Sequence, residues 1–312
     1  MPLSPPPEAA LNAQEPGRVW ANLGLWAPGR SYPQAARALA QRVADAGALR
    51  ADDTLLEVGC GPGESLRLWR EHYGCREILA MEPDAAAVAW LLEQTWLLEQ
   101  TRLLDQTRLR DQTELRGQGG ERGLRLRQRP AEEIADCVPP RSVDVLLAVD
   151  CAYHLRQSPA FWARCARTLR PGGRLAFTDL GLAARVSPAQ RWTLRRLAPL
   201  FGIPPGNLCA APAQAERLRR AGFAAPHCED LSAEVGPGFA QWWRGYRRRA
   251  GIPRRLWWRC ELTARTLPAL LASGGLRYRL WSARLAPGQD MAPGRDMAPG
   301  RDMAPGQDRA PG

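Results

Sequence analysis

The chain has 312 residues, 45% hydrophobic and 24% charged, which is enough apolar content to bury a full core and excludes disorder of the whole chain. No run of about 18 uncharged apolar residues occurs, and the N-terminus has neither a basic start nor an apolar stretch, so a soluble, cytoplasmic chain is expected. The net charge of +11 rests on 43 basic residues, every one an arginine. A surface selected to bind phosphate ordinarily uses lysine as well, so the basicity argues little for nucleic acid.

In chain order, residues 1–18 are rich in proline and poor in large apolar side chains, and read as a disordered tail. Residues 19–50 form a predicted helical cap whose amphipathic helix presents Ala36, Leu39, Val43 and Ala44 on one face. Short apolar runs then alternate with helical stretches. TLLEVGC (54–60), EILAMEP (77–83), LRLRQR (124–129), VDVLLAV (143–149) and RLAFTDL (174–180) are predicted strands, with helices around 64–73, 84–116, 131–136 and 158–169. Inside this pattern five copies of a six-residue repeat (WLLEQT, WLLEQT, RLLDQT, RLRDQT, ELRGQG) fill Trp90 to Gly119. Most of these residues are good helix formers, but a six-residue period advances about 240° around a helix and its leucines make no lasting stripe. A projecting helical insert over 90–119 is therefore expected, a product of repeat expansion rather than a partner-binding helix.

Residues 184–221 hold predicted lid helices, and GFAAPHCEDLS (222–232) and GLRYRLWSARL (275–285) are the last strands. From 286 to 312 a second hexapeptide repeat carries a Pro-Gly step in each copy, which breaks helix and strand alike and reads as a disordered tail. The eight cysteines show no C-x-x-C and no zinc-site spacing, so they read as scattered thiols with no metal site. Beta-alpha alternation between 19 and 285 implies one α/β domain with a parallel sheet and helices on both faces.

The stretch that carries chemistry is Glu57-Val58-Gly59-Cys60-Gly61-Pro62-Gly63, where a strand ends and a helix begins. Its glycines let the backbone turn tightly beside a ligand, and the helix start favours an anionic group. A dinucleotide fingerprint needs a third glycine at position 64, which is Glu64. The pattern instead resembles the first motif of class I S-adenosylmethionine-dependent methyltransferases. Glu82 in AMEPD falls where that family binds the ribose hydroxyls, VDVLLAVDCAYHL resembles its fourth-strand motif, and LRPGGRLAFTDL resembles its turn into strand five.

Small-molecule methyltransferases of the quinone and natural-product type (methyltransferase type 11) are the nearest flavour, with a Trp/Tyr-bearing cap and a closing Gly275-Leu276-Arg277-Tyr278-Arg279-Leu280 strand. The resemblance implies a Rossmann-like, seven-stranded, mostly parallel sheet with an antiparallel last strand, and S-adenosyl-L-methionine as cofactor. It places the cofactor on Glu57, Gly59, Cys60, Gly61, Gly63, Glu82, Pro83, Ala131, Glu132 and Val149. One departure stands at Arg129-Pro130-Ala131-Glu132, where proline replaces the acidic residue that relatives usually set near the adenine amino group.

Methyl transfer from a sulfonium needs alignment and water exclusion more than indispensable side chains. His154, just after the fourth strand, is the candidate general base, the alternatives being substrate packing or a hydrogen bond to the loop; Asp150 orients it, touches the substrate or caps the loop. Glu57 either shapes the glycine loop or favours the cofactor's ammonium. Trp26, Tyr32 and Tyr153 are candidate substrate contacts, with ordinary packing of the cap as the alternative for Trp26 and Tyr32. Residues 241–259 interleave seven arginines with four tryptophans and a tyrosine, a pattern that suits an acidic substrate, an anionic membrane surface, single-stranded nucleic acid or, preferably, helices packing their aromatics inward.

The expected function is methylation of an oxygen or nitrogen of a small organic molecule by a monomer or weak homodimer. The alternatives are C-methylation of a quinone or lipid precursor at a membrane surface, and a catalytically weak cofactor-binding scaffold. Nucleic acid is not the expected partner, because Asp150-Cys151-Ala152-Tyr153 replaces the Asn/Asp-Pro-Pro-Tyr/Phe type of motif.

Overall fold

A computed structural model describes residues 5–94, 113–116 (backbone only) and 123–287. The strands are β1 (Thr54–Val58), β2 (Glu77–Met81), β3 (Thr113–Arg116), β4 (Gly123–Arg127), β5 (Val143–Ala148), β6 (Leu169–Leu182), β7 (Phe223–Asp230) and β8 (Leu276–Leu285). The helices are α1 (Tyr32–Ala46), α2 (Glu64–Glu71), α3 (Ala85–Leu92), α4 (Ile134–Cys137), α5 (Pro159–Thr168), α6 (Pro188–Leu197), α7 (Ala211–Arg220), α8 (Ser232–Tyr246) and α9 (Arg254–Ala272). One sheet runs in the order β3-β4-β2-β1-β5-β6-β8-β7. Seven of these strands make the expected mostly parallel pattern, with β8 antiparallel between β6 and β7; β3 is an added edge, antiparallel to β4.

Alternation along the central strands divides the core. Leu55, Ile78, Val145, Leu147 and Ala176 face α1 and its neighbours, whereas Leu56, Leu79, Leu146 and Phe177 face the opposite cluster with Phe161, Trp162 and Leu218. Both faces are covered, so β1 is buried along its whole length, as a central parallel strand must be. The four apolar positions expected on one face of α1 are all fully buried, and a Ser31/Gln34 capping box fixes where that helix starts.

Two expectations are corrected. Residues 5–18 are not a tail, because a 3-10 helix at Pro7–Leu11 buries Leu11, and Asn12 bonds Glu8 O, Trp20 O and Trp20 N–H. A single buried amide thus supplies what the proline-rich composition lacks. Among the described residues, the helical reading of 84–116 is met by α3, which ends at Leu92, and fails at Thr113–Arg116, which pairs as a strand with Gly123–Leu126. Pairing at an open sheet edge outweighs the weak helix propensity of four residues. The rest of the 90–119 insert, beyond Gln94 and outside 113–116, and nearly all of the tail at 286–312 lie outside the described residues.

Replacing Asn12 by Ala removes three hydrogen bonds from a buried site and is expected to cost about 2–3 kcal/mol, lowering Tm by several degrees. Thermal unfolding followed by circular dichroism checks this, and an unchanged Tm would restore the tail reading.

Candidate active site

β1 lies between β2 and β5, so the loops after these three strands meet at the carboxyl edge, where ligands of open α/β sheets bind. The glycine loop after β1 is anchored by Gly59 N–H to Met81 O at 2.7 Å. Gly61 adopts φ 53°, and a Cβ there meets nothing within 4 Å, so the space above it is free for a ligand. Gly63 caps α2 at φ 92°, and a Cβ on it would stand 2.3 Å from Leu91 Cδ1. A larger residue there is strained by the left-handed backbone and must displace Leu91.

Glu57 is fully buried beneath this loop. Its Oε2 accepts from Trp69 Nε1–H at 2.7 Å, while Oε1 is buried without a hydrogen-bond partner. Burial pushes its carboxyl up to about 7, against the lowering effect of Ser65 and Trp69. Glu82 accepts from Gly61 N–H at 2.8 Å and from Asp84 N–H at 3.0 Å, which aims its carboxylate along the rim and leaves lone pairs for a vicinal diol. Cys60 and Cys151 both face the cleft; burial raises each thiol well above its usual range, so they stay protonated.

A strap, Val19 to Asn22, crosses the cleft and is held at nearly every residue. Val19 N–H donates to Glu64 and Trp20 N–H to Asn12; Tyr32 donates to both Trp20 O and Asn22 O. Leu23 N–H then donates to Asp150 Oδ2 at 2.6 Å. Asp150 follows β5 in the left-handed region at φ 55°, a strained position for a non-glycine residue, and Thr178 Oγ1 accepts its N–H at 2.7 Å. Its Oδ1 accepts from Tyr153 at 2.8 Å and Tyr278 at 2.6 Å. Burial raises its pKa, with Tyr278, Leu23 and Tyr153 pulling the other way. Strap and loops frame a half-open cleft.

Of the expected site residues, Glu57, Gly59, Cys60, Gly61, Val149 and Asp150 line this cleft. Glu82 reaches it through Gly61; Gly63 shapes the loop, and Pro83 sits exposed beyond the rim. His154 does not line it: the ring is exposed and its Nδ1 lies 3.0 Å from Gly202 O, tying the loop after β5 to the turn after α6. Glu132 accepts from Arg156 N–H, and Ala131 is buried in a short 3-10 helix capped by Pro130.

Trp26 and Tyr32 serve the cap. Both stack on Trp242, at 5.6 and 4.8 Å, and Trp242 stacks in turn on Tyr246 at 4.6 Å. The aromatic residues of 241–259 thus point mainly inward, with Trp258 the exposed exception. Sequence reasoning missed the strap and Tyr278. Tyr278 is 128 residues from its partner Asp150, and only its place on the inner face of β8 hinted at it.

Residues 31–227 match the family model described as methyltransferase domain, well over half of the chain. The chain belongs to this methyltransferase family. A comparison with curated proteins gave no significant match. Among solved structures, the chain is similar to the [4+2]-cyclase SpnF, with 22% identity, 86% of this chain and 87% of that one covered, and a TM-score of 0.60. It is also similar to geranyl diphosphate C-methyltransferase from Streptomyces coelicolor A3(2), bound to Mg2+, geranyl diphosphate and S-adenosyl-L-homocysteine, with 16% identity, 86% and 89% covered, and a TM-score of 0.60. A third is Haemonchus contortus phosphoethanolamine N-methyltransferase 2 with S-adenosylhomocysteine, at 14% identity, 80% of this chain covered and a TM-score of 0.59; the chain spans 52% of its length.

The cofactor of this methyltransferase is S-adenosylmethionine, and the residues present fit it. The free Glu57 Oε1 matches an ammonium, the open space over Gly61 matches the amino-acid arm, and Glu82 matches the ribose hydroxyls.

Glu57 must ionise to meet an ammonium, so cofactor affinity is expected to rise with pH up to about 7. Calorimetry kept below the usual α-amino pKa should show Kd tightening roughly tenfold from mildly acidic to neutral pH, with proton release. Glu57→Gln should weaken binding and flatten this dependence. An unchanged profile in that variant would sink the assignment.

Proposed function

We propose that this methyltransferase transfers the methyl group to an oxygen or nitrogen of a small organic molecule. The observation that carries the reading is the strap, which is bonded across the glycine loop and leaves a compact, partly enclosed cleft. Such a site favours an acceptor that can be wholly enclosed over a polymer that would have to thread beneath Val19 to Asn22.

When bound, S-adenosylmethionine supplies a sulfonium-activated methyl group whose displacement needs no protonated leaving group. The chain's residues provide the alignment. Glu57 and the loop Gly59 to Gly63 hold the amino-acid arm, Glu82 holds the diol, and the strap excludes water from the nucleophile's path. Asp150 lines the cleft and fastens the strap, so it is the positioning group for the acceptor, and its raised pKa suits it to receive an acceptor proton. His154 supports the lid from outside.

C-methylation of a quinone or lipid precursor is the second reading, favoured by the apolar, arginine-flanked outer face of the lid helix α6. A panel of small phenols, amines and quinone precursors with labelled methyl donor distinguishes the two by the methylated atom.

On whichever acceptor turns over, Glu82→Ala should raise the cofactor Kd about 100-fold through lost charge-assisted hydrogen bonds. Asp150→Asn should lower kcat/KM about 100-fold by releasing the strap, while His154→Gln changes it little. The reverse ranking of these two variants would return the base role to His154.

A further inference from the structure

Helix α6 buries one side chain, Leu194, and presents nearly all its other residues to solvent. Five large apolar residues are conspicuously exposed among the described residues, and three of them fall here: Trp192 (64%), Leu197 (43%) and Leu200 (72%). Three large apolar side chains left exposed along α6 and the turn after it are costly to keep in water and mark a contact surface. Around it stand Arg185, Arg191, Arg195 and Arg196, and the sequence from Leu180 to Ala215 contains no acidic residue.

None of these four arginines forms an ion pair among the described residues. Arg196 lies over the Trp192 ring, 5.2 Å from its centroid, and Arg195 donates to Leu208 O at 3.3 Å. Arg191, Trp192, Arg195 and Arg196 line a shallow groove between Pro188 and Pro205. The segment is fixed to the carboxyl edge, because His154 meets Gly202 O and Asn207 Nδ2 donates to Tyr153 O. The patch is therefore a built face beside the cleft.

We propose that this face of α6 and the following turn docks on the surface of an anionic phospholipid bilayer. An indole and two leucines suit the boundary between headgroups and acyl chains, and guanidinium groups with no carboxylate partner suit lipid phosphates. The element would lie in the interface; no helix among the described residues is long and apolar enough to cross a membrane. Trp192 offers a single stacking plane and the two leucines offer none, so the surface favours lipid over nucleic acid. The segment 241–259 is a poorer candidate, because Trp242, Trp243, Tyr246 and Trp257 are packed or hydrogen-bonded within the domain.

The inference rests on the lid surface, independently of the acceptor. The test is co-sedimentation of the full chain at low salt with vesicles of phosphatidylcholine alone or of equimolar phosphatidylcholine and phosphatidylglycerol. Binding is expected to the anionic vesicles only and is lost at high salt. The pair Arg191→Gln and Arg196→Gln should lower partitioning about 25-fold, roughly fivefold for each arginine. Trp192→Ser with Leu200→Ser should lower it at least about tenfold. The control pair Trp258→Ser with Leu262→Ser should leave it unchanged, and calorimetry with S-adenosylmethionine confirms that each variant is folded. No binding to anionic vesicles overturns the proposal, as does binding that the lid variants leave intact. RNA binding in place of vesicle binding overturns it as well.

Discussion

The Asp150 carboxylate accepts from Leu23 N–H, Tyr153 and Tyr278, so the strap, the loop after β5 and the edge pair of the sheet converge on one negative charge. Removing a charge from water is costly, and hydrogen bonds to a charged acceptor, about 1.5–3 kcal/mol each, are what keep it in place. The left-handed backbone at Asp150 persists because Thr178 holds the amide from the next strand. If this anchor is lost, the strap keeps its links to Asn12, Glu64 and Tyr32 but loses its register against the cleft.

Much of this was legible in the sequence, for identifiable reasons. Leu55 and Leu56, or Val145 and Leu146, alternate between two cores with a period of two, so the strands could be read, and beta-alpha alternation implied a parallel sheet covered on both faces. The glycine loop was legible because Gly61 and Gly63 answer to local backbone geometry. Long-range pairing was not. Nothing near Asp150 in the chain announces Leu23 or Tyr278, and nothing near His154 announces that Gly202 would engage its ring. Composition misled at residues 5–18 because three bonds to one asparagine do not register in an average.

Arginine and tryptophan, which together dominate the chain's appearance, have divided roles. In α8 and α9 the indoles are largely internal, and Trp243 and Arg247 share the buried Glu261. On α6 the same two residue types stand in water without acidic partners among the described residues. Density of a residue type along the chain therefore says less about surface chemistry than the number of its partners in the fold.

The contact between Leu91 and Gly63 bears on what the two ends of the hexapeptide tract do. Leu91 belongs to the first copy, yet it is fully buried against the glycine loop, while the last copies contribute Thr113–Arg116 to the sheet edge. Copies in between join two fixed points. The first leucine pair therefore answers to the packing of the cofactor loop and the last copies to strand pairing, so units of one repeat carry unlike duties at the two ends of the tract.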